Sequence, residues 1–191
     1  MNPKFICVCR SGGDFTSADA IRLKRNVADH TTIPYDFICL SDSKLIHKWE
    51  GWWSKIEAFR FTGAVVYADL DTVFVDSIDC LFEMAMGLRS DIFAMNKAFN
   101  ESEIFSSGLM LWNGDWTHVY EQFSFEFDAP KFMWDQRYIK SKLSDIITIQ
   151  SKVSGIYSYK HHVRENGLPE DARIILFHGK PRPSEVHEEW I

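Results

Sequence analysis

The chain has 191 residues, of which 46% are hydrophobic and 15% aromatic, and its formal net charge is −6 at pH 7. A chain of this length and apolarity can bury one substantial core, so we expect a single domain over residues 1–191, with residues 184–191 as a C-terminal tail. The acidic balance argues against nucleic acid as a partner, because a nucleic-acid interface needs an extensive basic surface.

Cysteine usage and apolar run lengths indicate the compartment. Three of the four cysteines lie in apolar, strand-like runs and none forms a Cys-x-x-Cys pair: Cys7, Cys9, Cys39 and Cys80. We therefore expect buried free thiols in a reducing compartment rather than disulfides or zinc ligands. The amino terminus has too few apolar residues for a signal-peptide core, and no run approaches the roughly 18 residues of a membrane span. These features predict a soluble, unprocessed, cytoplasmic protein.

The first half of the chain alternates between strand-like and helix-like segments. Strands are predicted over residues 4–9, 35–40 and 64–68, and helices from residue 16 to about 29 and over 55–61. Thr16 with Asp19, and Ser54 with Glu57, have the spacing of capping boxes that open the two helices. The turn after the first strand contains a glycine pair, which allows close approach of a ligand but is equally common in a plain turn. The repeated order predicts an α/β protein with a largely parallel sheet.

The second half contains shorter segments. We predict helices over residues 78–86 and 132–142, strands over 91–95, 105–112, 146–149 and 173–177, and polar loops over 96–103 and 151–171, the latter lying over the site. Pro130 is expected to break the chain before residue 132. An aromatic stripe spaced at i, i+3, i+4 and i+7 behind Asp115 indicates the core face of a helix rather than a sugar platform: Trp116, Val119, Tyr120 and Phe123.

Two aspartates directly follow the apolar strand 64–68. Residues i and i+2 of an extended chain project from the same face, so the carboxyl groups of Asp69 and Asp71 are expected roughly 6–7 Å apart at the end of an inner strand. A divalent cation fits between them, and oxygen ligands favour magnesium or manganese. Aspartates after a strand also cap surface turns, but core-forming residues follow from Thr72, which favours a functional pair.

An apolar strand that ends in Asp69-x-Asp71 resembles the DxD motif of GT-A-fold nucleotide-sugar glycosyltransferases. Further motifs resemble the retaining family that includes glycogenin and bacterial lipopolysaccharide galactosyltransferases, from the first strand to about Pro183. They are Phe105, Ser106, Ser107, Gly108 and Asn113, where Ser106 replaces the family's asparagine; the pair Asp135 and Gln136; and His178, Gly179, Lys180 and Pro181, a shortened form of the family's His-x-x-Gly-x-x-Lys-Pro.

The resemblance implies a single-domain GT-A, Rossmann-like α/β fold with a mostly parallel central sheet. It implies a metal-dependent transferase that moves a sugar, with retention, from a nucleoside-diphosphate sugar, a UDP-sugar in particular, to a glycan, lipid, protein or small-molecule acceptor. Asp69, Asp71 and His178 would hold the metal, Mn²⁺ or Mg²⁺, and Asp135 and Gln136 would be catalytic residues beneath the transferred sugar. The implied donor-binding residues are Arg10, Ser11, Gly12, Asp14, Lys55, Asp69, Ser107, Gly108, Gly179 and Lys180.

These residue types suit the implied chemistry. Breaking the bond between a sugar and a nucleoside diphosphate develops negative charge on the leaving phosphate, which a metal and Lys180 can stabilise. Seen alone, however, Lys180 with Arg182 is equally a solvated basic turn, and His178 a hydrogen-bonded residue at a strand end.

Two other classes of protein remain open. The segment from Asp69 to Thr72 also resembles the opening motif of haloacid-dehalogenase phosphatases, although Thr72 comes one position early and no paired-aspartate motif follows. A catalytically silent module that binds a nucleotide sugar or a glycan would use the same groups as an enzyme. Trp52 and Trp53 can stack on a base or a sugar, but tryptophans beside a helix start are more often packing residues.

Overall fold

The computed structural model describes residues 2–99 and 104–191, which form a six-stranded sheet, a three-stranded sheet and the helices packed on them. The strands are β1 (Lys4–Cys9), β2 (Asp36–Ser41), β3 (Val65–Ala68), β4 (Thr72–Phe74), β5 (Ile92–Lys97), β6 (Phe105–Trp112), β7 (Asp145–Thr148), β8 (Ile156–Ser158) and β9 (Ile174–Leu176). The α-helices are α1 (Ser17–Asp29), α2 (Asp79–Gly87), α3 (His118–Glu121), α4 (Phe125–Phe132) and α5 (Asp135–Ser141). There are also 3₁₀ segments at Gly51–Arg60, Ile149–Ser151 and Pro183–Glu185 and a π-helical turn at Tyr159–Val163.

The larger sheet has the strand order β2-β1-β3-β6-β5-β7. Strand β1 is parallel to β2 and β3, and β5 is parallel to β7. Strand β6 runs antiparallel to both of its neighbours, β3 and β5. The predicted α/β architecture with a mostly parallel sheet is therefore correct, with β6 as the reversed strand. The smaller sheet has the order β4-β9-β8.

Two hydrophobic cores lie on opposite faces of the larger sheet. All four residues of β3 are buried, as expected for an inner strand covered on both sides. Val66 faces a cluster that includes Leu23 of α1 and Phe82 of α2. Tyr67, the next residue, faces a second cluster with Trp112 on the other side. The period of two along β3 thus divides its side chains between the two cores.

The first predicted capping box is present and the second is not. Asp19 accepts a hydrogen bond from the backbone N–H of Thr16 at 2.8 Å, at the start of α1. The segment expected as a helix over 55–61 is instead the 3₁₀ helix Gly51–Arg60. Its Glu57 is fully buried and accepts from the backbone N–H groups of Ile46 and His47, both at 2.8 Å. The Glu57 carboxylate therefore caps backbone groups of the preceding loop and is not available for a capping box with Ser54.

Pro130 does not break the chain where predicted. It lies inside α4, an exposed helix that ends at Phe132, so the proline forgoes one intrahelical hydrogen bond near the helix end. The break comes at Met133, whose φ of 63° is left-handed, and α5 begins at Asp135 rather than at residue 132. The aromatic stripe behind Asp115 does pack into the core, around the short helix α3.

The predicted polar loop 151–171 contains ordered elements. Strand β8 pairs with β9, and the π-helical turn that follows it buries Tyr159 and Val163. Tyr159 stacks on Phe177 with ring centroids 4.3 Å apart, and Trp190 packs against the same small core. The prediction was wrong because a few well-spaced apolar residues are enough to anchor a polar stretch. The predicted loop 96–103 begins inside β5, and residues 100–103 lie outside the described residues.

The four cysteines are unpaired, as expected, but only Cys7 is fully buried. Across residues 2–99 and 104–191, no helix is long and apolar enough to cross a bilayer.

Candidate active site

Two adjoining cavities open beyond the carboxyl end of β3. Their volumes are about 550 and 430 Å³. Among the residues that the structure describes, six line both cavities: Asp14, Trp52, Lys55, Asp69, Asp71 and Arg182. The first cavity brings in other predicted site residues, namely Ser107, Gly108, Asp135, Gln136, His178 and Gly179. The second adds Arg10 and Gly12 from the loop after β1.

The two aspartates that follow β3 do not lie on an extended chain. Thr72 N–H donates to the carbonyl of Asp69 at 3.1 Å, so the chain turns between them. Arg22 of α1 holds this turn by donating to the carbonyls of Leu70 at 2.5 Å and Thr72 at 3.3 Å. The predicted common face is therefore replaced by a turn that gives each aspartate its own partners.

Asp69 lies at the junction of β3 and β6. Its backbone N–H donates to the carbonyl of Gly108 at 2.8 Å. Its carboxylate accepts from the Tyr67 hydroxyl at 2.7 Å and from Lys55 Nζ at 2.8 Å. Burial raises the pKa of Asp69 to about 6, and Asp71 adds to this effect, while Lys55 opposes it.

Lys55 is the centre of a buried ionic network. Its side chain is 7% exposed, and Nζ lies 2.8 Å from Asp69 Oδ2 and 3.1 Å from Asp135 Oδ2. Burial disfavours its charge, but Asp135 and Asp69 overcome that cost and raise the pKa of Lys55. The Ser107 hydroxyl donates to Asp135 Oδ2 at 2.6 Å. Lys55 therefore carries a fixed positive charge that joins the 3₁₀ helix, β3, β6 and α5.

Asp71 is buried and is paired with Arg182. Arg182 Nη1 donates to Asp71 Oδ2 at 3.1 Å, and Arg182 Nη2 donates to Asp14 Oδ2 at 2.5 Å. The guanidinium lies 4.4 Å from the ring centroid of Phe15, and its buried Nε atom has no hydrogen-bond partner within residues 2–99 and 104–191. Gly179 N–H also donates to Asp71 Oδ2, at 3.3 Å. Arg182 thus spans the boundary between the two cavities.

The shortened motif at residues 178–181 places its basic residue outward. The Lys180 side chain is 77% exposed, lies 3.7 Å from Glu185 and lines neither cavity. Arg182, two residues later, points to the cavity boundary where the sequence reasoning had expected Lys180. The sequence signal for this role is the second basic residue of the segment, which local sequence alone does not distinguish from part of a solvated turn.

His178 lines the first cavity but is engaged by other groups. Its Nε2 lies 2.6 Å from the Ser158 hydroxyl, and its ring stacks on those of Phe99 and His161. This packing removes water from the ring, and together with the neighbouring Lys160 and His161 it lowers the pKa of His178. The imidazole is therefore biased towards the neutral form that a metal ligand requires.

The expected metal ligands meet at one cavity without forming a ready coordination sphere. Within the part of the chain that the structure describes, no group of three or more His, Cys, Asp or Glu side chains is arranged to hold a metal ion. The donor types nevertheless fit manganese or magnesium, since Asp69 and Asp71 supply carboxylate oxygens and His178 a neutral nitrogen. Binding an ion there requires Asp71 and His178 to exchange their contacts with Arg182 and Ser158.

Only some residues of the loop after β1 line the second cavity. Arg10 and Gly12 line it, and Arg10 Nε also donates to the carbonyl of Lys48 at 3.1 Å. Ser11 lines neither cavity and is exposed. Hydrogen bonds from Ser11 lower the pKa of Asp42, and the Ser11 backbone N–H lies 3.2 Å from that carboxylate. Ser11 therefore anchors the loop to Asp42 and does not line the cavity.

The two adjacent tryptophans differ in position. Trp53 is buried against Phe123, as expected of a packing residue. Trp52 is 46% exposed and lines both cavities. A second exposed tryptophan, Trp134, lines the first cavity beside Asp135. Sequence reasoning placed neither Trp52 nor Trp134 in the site, because an aromatic residue at a helix start has the same local pattern whether it packs inward or outward.

The chain has the fold of known glycosyltransferases. It resembles the structure of the glycosyltransferase GlyE of Streptococcus pneumoniae TIGR4, with a TM-score of 0.62 and 12% identity, over 98% of this chain and 57% of that chain. It also resembles the galactosyltransferase LgtC, crystallised with donor and acceptor sugar analogues, with a TM-score of 0.61 and 11% identity, over 98% and 90% of the two chains. A glycosyltransferase involved in glycosylation of the major capsid of PBCV-1 gives a TM-score of 0.59 and 13% identity, over 96% of each chain.

Sequence comparison adds no family. No protein-family model matches the chain, and no curated protein matches it. The chain spans 57% of the length of the GlyE chain and 48% of that of the bifunctional glycosyltransferase WbbM. At identities of 11 to 13%, the likeness establishes the fold.

Proposed function

We propose that this chain is a GT-A glycosyltransferase that transfers a sugar from a nucleoside-diphosphate sugar, a UDP-sugar in particular, to an acceptor. The observation that carries the proposal is the pair of adjoining cavities, with Asp69, Asp71, Lys55 and Arg182 at their shared boundary. A nucleotide sugar has two parts joined by a diphosphate, so its two parts match two cavities that meet at charged groups. The shared fold with glycosyltransferases supports the same assignment.

The second cavity suits the nucleoside half of the donor. It is lined by the glycine-containing loop after β1, where Gly12 has a φ of 76° and none of the described residues has an atom within 4 Å of an added Cβ. Arg10 lines the same cavity and offers hydrogen-bond donors to the nucleoside. The sugar then lies in the first cavity, which Gln136 and Gly108 line.

Arg182 is the basic group best placed for the diphosphate. Lys55 and Arg182 each pair with two carboxylates, but Lys55 is held in an interior network, whereas Arg182 lies at the boundary of the cavities and one of its partners, Asp14, is exposed. Among the described residues, Arg182 Nε has no hydrogen-bond partner. A planar guanidinium can donate two parallel hydrogen bonds to phosphate oxygens. A bound Mn²⁺ or Mg²⁺, held by Asp69, Asp71 and His178, would add Lewis-acid stabilisation of the leaving phosphate.

The chain's own residues then position the reacting sugar. Asp135 is locked by Lys55 and Ser107, so it fixes the first turn of α5 rather than offering a free carboxylate. Gln136, the next residue, is half-buried and lines the first cavity, where its amide oxygen can face the positive charge that develops on the sugar ring. We propose retention of anomeric configuration because the sequence motifs resemble those of a retaining family. The anomeric coupling of the product, read by NMR, tests it, and an inverted product rejects it.

The test of the proposal is a thermal-shift panel of nucleotide sugars, with and without manganese, followed by product analysis for the donor that stabilises most. Stabilisation by one donor, followed by transfer or slow hydrolysis of its sugar, supports the proposal. Binding without turnover identifies a silent nucleotide-sugar module. Release of inorganic phosphate from phosphomonoesters identifies a phosphatase, which the comparisons do not favour and which would need Asp69 free of Tyr67 and Lys55.

The four unpaired thiols support a reducing, cytoplasmic location.

A further inference from the structure

Two exposed tryptophans form an aromatic surface at the edge of the first cavity. Trp52 is 46% exposed and Trp134 is 40% exposed. Their ring centroids lie 4.9 Å apart with an angle of 31° between the ring planes. Both residues line the first cavity. Exposing two large aromatic side chains to water costs hydrophobic free energy. A ligand that covers both rings would therefore gain hydrophobic free energy on binding.

The surface is held by a rigid base. Trp53 and Tyr138 follow Trp52 and Trp134 on the same two segments, and both pack on Phe123, with centroid distances of 5.3 and 4.8 Å. The carbonyl of Trp134 accepts the backbone N–H of Tyr138 at 3.3 Å, in the first turn of α5. The two rings therefore stand on elements that are tied together beneath them, and a ligand need not order a mobile loop to bind.

The position of the surface relates it to the reacting groups. Trp134 directly precedes Asp135 and Gln136, and it lines the first cavity but not the second. A molecule stacked on Trp134 therefore lies in the cavity assigned above to the sugar, while Trp52 lies where the two cavities meet. The first cavity is the side from which a second substrate would reach the sugar being transferred.

The charge of the cavity restricts the ligand. Among the described residues that line the first cavity, four carboxylates outnumber three basic side chains: Asp14, Asp69, Asp71 and Asp135 against Lys55, Arg137 and Arg182. With this excess of carboxylates, a neutral ligand is favoured over a further anion at the tryptophans, beyond the diphosphate that Arg182 is proposed to bind. A neutral pyranose ring fits, because one face presents C–H groups that pack on an aromatic ring, while its hydroxyls can hydrogen-bond to polar lining residues such as Asn96 and Gln136.

We propose that Trp52 and Trp134 form the acceptor subsite and that the acceptor is a neutral saccharide, bound by stacking of a sugar ring on this aromatic surface. The assignment to an acceptor rests on the proposed glycosyltransferase function. The stacking itself is a property of the surface, so the two are tested separately.

The experiment is saturation-transfer NMR of the purified full chain with a panel of methyl α- and β-hexopyranosides and neutral disaccharides. We expect at least one panel member to bind, with the strongest saturation on the C–H groups of one ring face. Trp134→Ala should weaken its binding about tenfold, and Trp134→Phe should retain part of the affinity because it keeps an aromatic face. A second variant, Trp52→Ala, should weaken the same ligand.

The matched control is Phe127→Ala, which removes an aromatic side chain that is 75% exposed and lines neither cavity. It should leave saccharide binding unchanged. Circular dichroism and thermal unfolding check that each variant is folded. The proposal is overturned if no panel member binds at millimolar concentration, or if both tryptophan variants bind within twofold of the parent chain.

Nucleotide-sugar binding, measured by calorimetry on the same preparations, separates the two proposals. A chain that binds a nucleotide sugar but no saccharide retains the proposed function and loses the subsite. A chain that binds the saccharide through Trp134 but no nucleotide sugar loses the proposed function, and the aromatic surface is then a glycan-binding site without a donor, which overturns the assignment to an acceptor.

Discussion

Arg182 and Asp71 are 111 residues apart in the chain and are joined at the boundary of the two cavities, with Nη1 donating to Oδ2 at 3.1 Å. The same guanidinium reaches Asp14 on the loop after β1. In this arrangement Arg182 neutralises the carboxylate that a metal ion would need. Donor binding should therefore exchange partners, with Arg182 moving to phosphate and Asp71 becoming available.

The first prediction is that Arg182→Ala has opposite effects on two ligands. It should tighten binding of Mn²⁺ alone, because Asp71 loses its competing cation, and weaken binding of UDP alone by about tenfold or more, because a charge-assisted hydrogen bond to phosphate is lost. Calorimetry with each ligand separately measures both effects. Arg173→Ala is the matched control, since Arg173 pairs with Asp76 at 3.5 Å outside both cavities. If Lys180→Ala loses as much UDP affinity as Arg182→Ala, then Lys180 also contacts the diphosphate and the assignment to Arg182 alone is wrong.

The second prediction concerns the metal. EDTA should abolish transfer or donor hydrolysis, and Mn²⁺ should restore it best. His178→Ala should raise the manganese concentration for half-maximal activity by about tenfold or more, because a ligand is lost. Since the pKa of His178 is lowered, its ring is neutral at pH 7, and activity should fall only on the acid side, where it is protonated. Full activity in chelator contradicts the prediction. A variant that only melts earlier, with an unchanged manganese titration, assigns His178 a structural role.

The third prediction separates Gln136 from nucleotide recognition. Gln136→Ala should lower kcat by about a hundredfold, because an oriented amide dipole is lost at the reacting sugar, and should change the Kd for UDP by less than about threefold. Single-turnover kinetics and calorimetry give the two values. Gln122→Ala is a useful control, because Gln122 accepts from Lys142 Nζ at 3.1 Å and neither residue lines either cavity. Unchanged turnover in Gln136→Ala removes it from the catalytic group.

The fourth prediction links Asp69 to stability. Its folded-state pKa of about 6 lies above the ordinary value of 3.8, so at pH 7 the ionised form costs folding free energy. Asp69→Asn, which resembles the protonated form, should raise the free energy of unfolding at pH 7 by about 1–3 kcal/mol while abolishing activity. The gain should shrink between pH 6 and 4, as Asp69 in the parent chain takes up its proton. Urea unfolding at several pH values measures this, and a variant that is less stable at pH 7 contradicts it.

The fifth prediction concerns thiol reactivity. Cys7 and Cys39 are paired in register between β1 and β2. A hydrogen bond with Cys7 lowers the pKa of Cys39 to about 7, whereas burial raises the pKa of Cys9 and of Cys80. Iodoacetamide at pH 7 should therefore modify Cys39 first, and Cys7→Ala should slow that reaction several-fold. Peptide mass spectrometry identifies the modified residue. Equal rates at Cys39 and Cys80 contradict the prediction.

Much of the fold could be predicted from local sequence. The apolar run of β3 ending at Asp69 and the Thr16–Asp19 capping box each depend on residues within a few positions, and both are present in the structure. The 3₁₀ helix Gly51–Arg60 could not be predicted in the same way, because Glu57 is buried against backbone N–H groups ten and eleven residues earlier. A capping pattern is satisfied locally only when no other group competes for the carboxylate.

The sequence by itself determined the α/β architecture and the residue types that surround one sheet edge: Asp69, Asp71, Asp135, Gln136 and His178. Only the tertiary structure decided the reversed direction of β6, the outward position of Lys180 and the inward position of Arg182. It also decided that Trp53 is buried while Trp52 faces the cavities. Strand pairing and the contacts of long side chains depend on groups brought together across the whole chain. Local periodicity carries no information about which of two neighbouring residues those distant groups will meet.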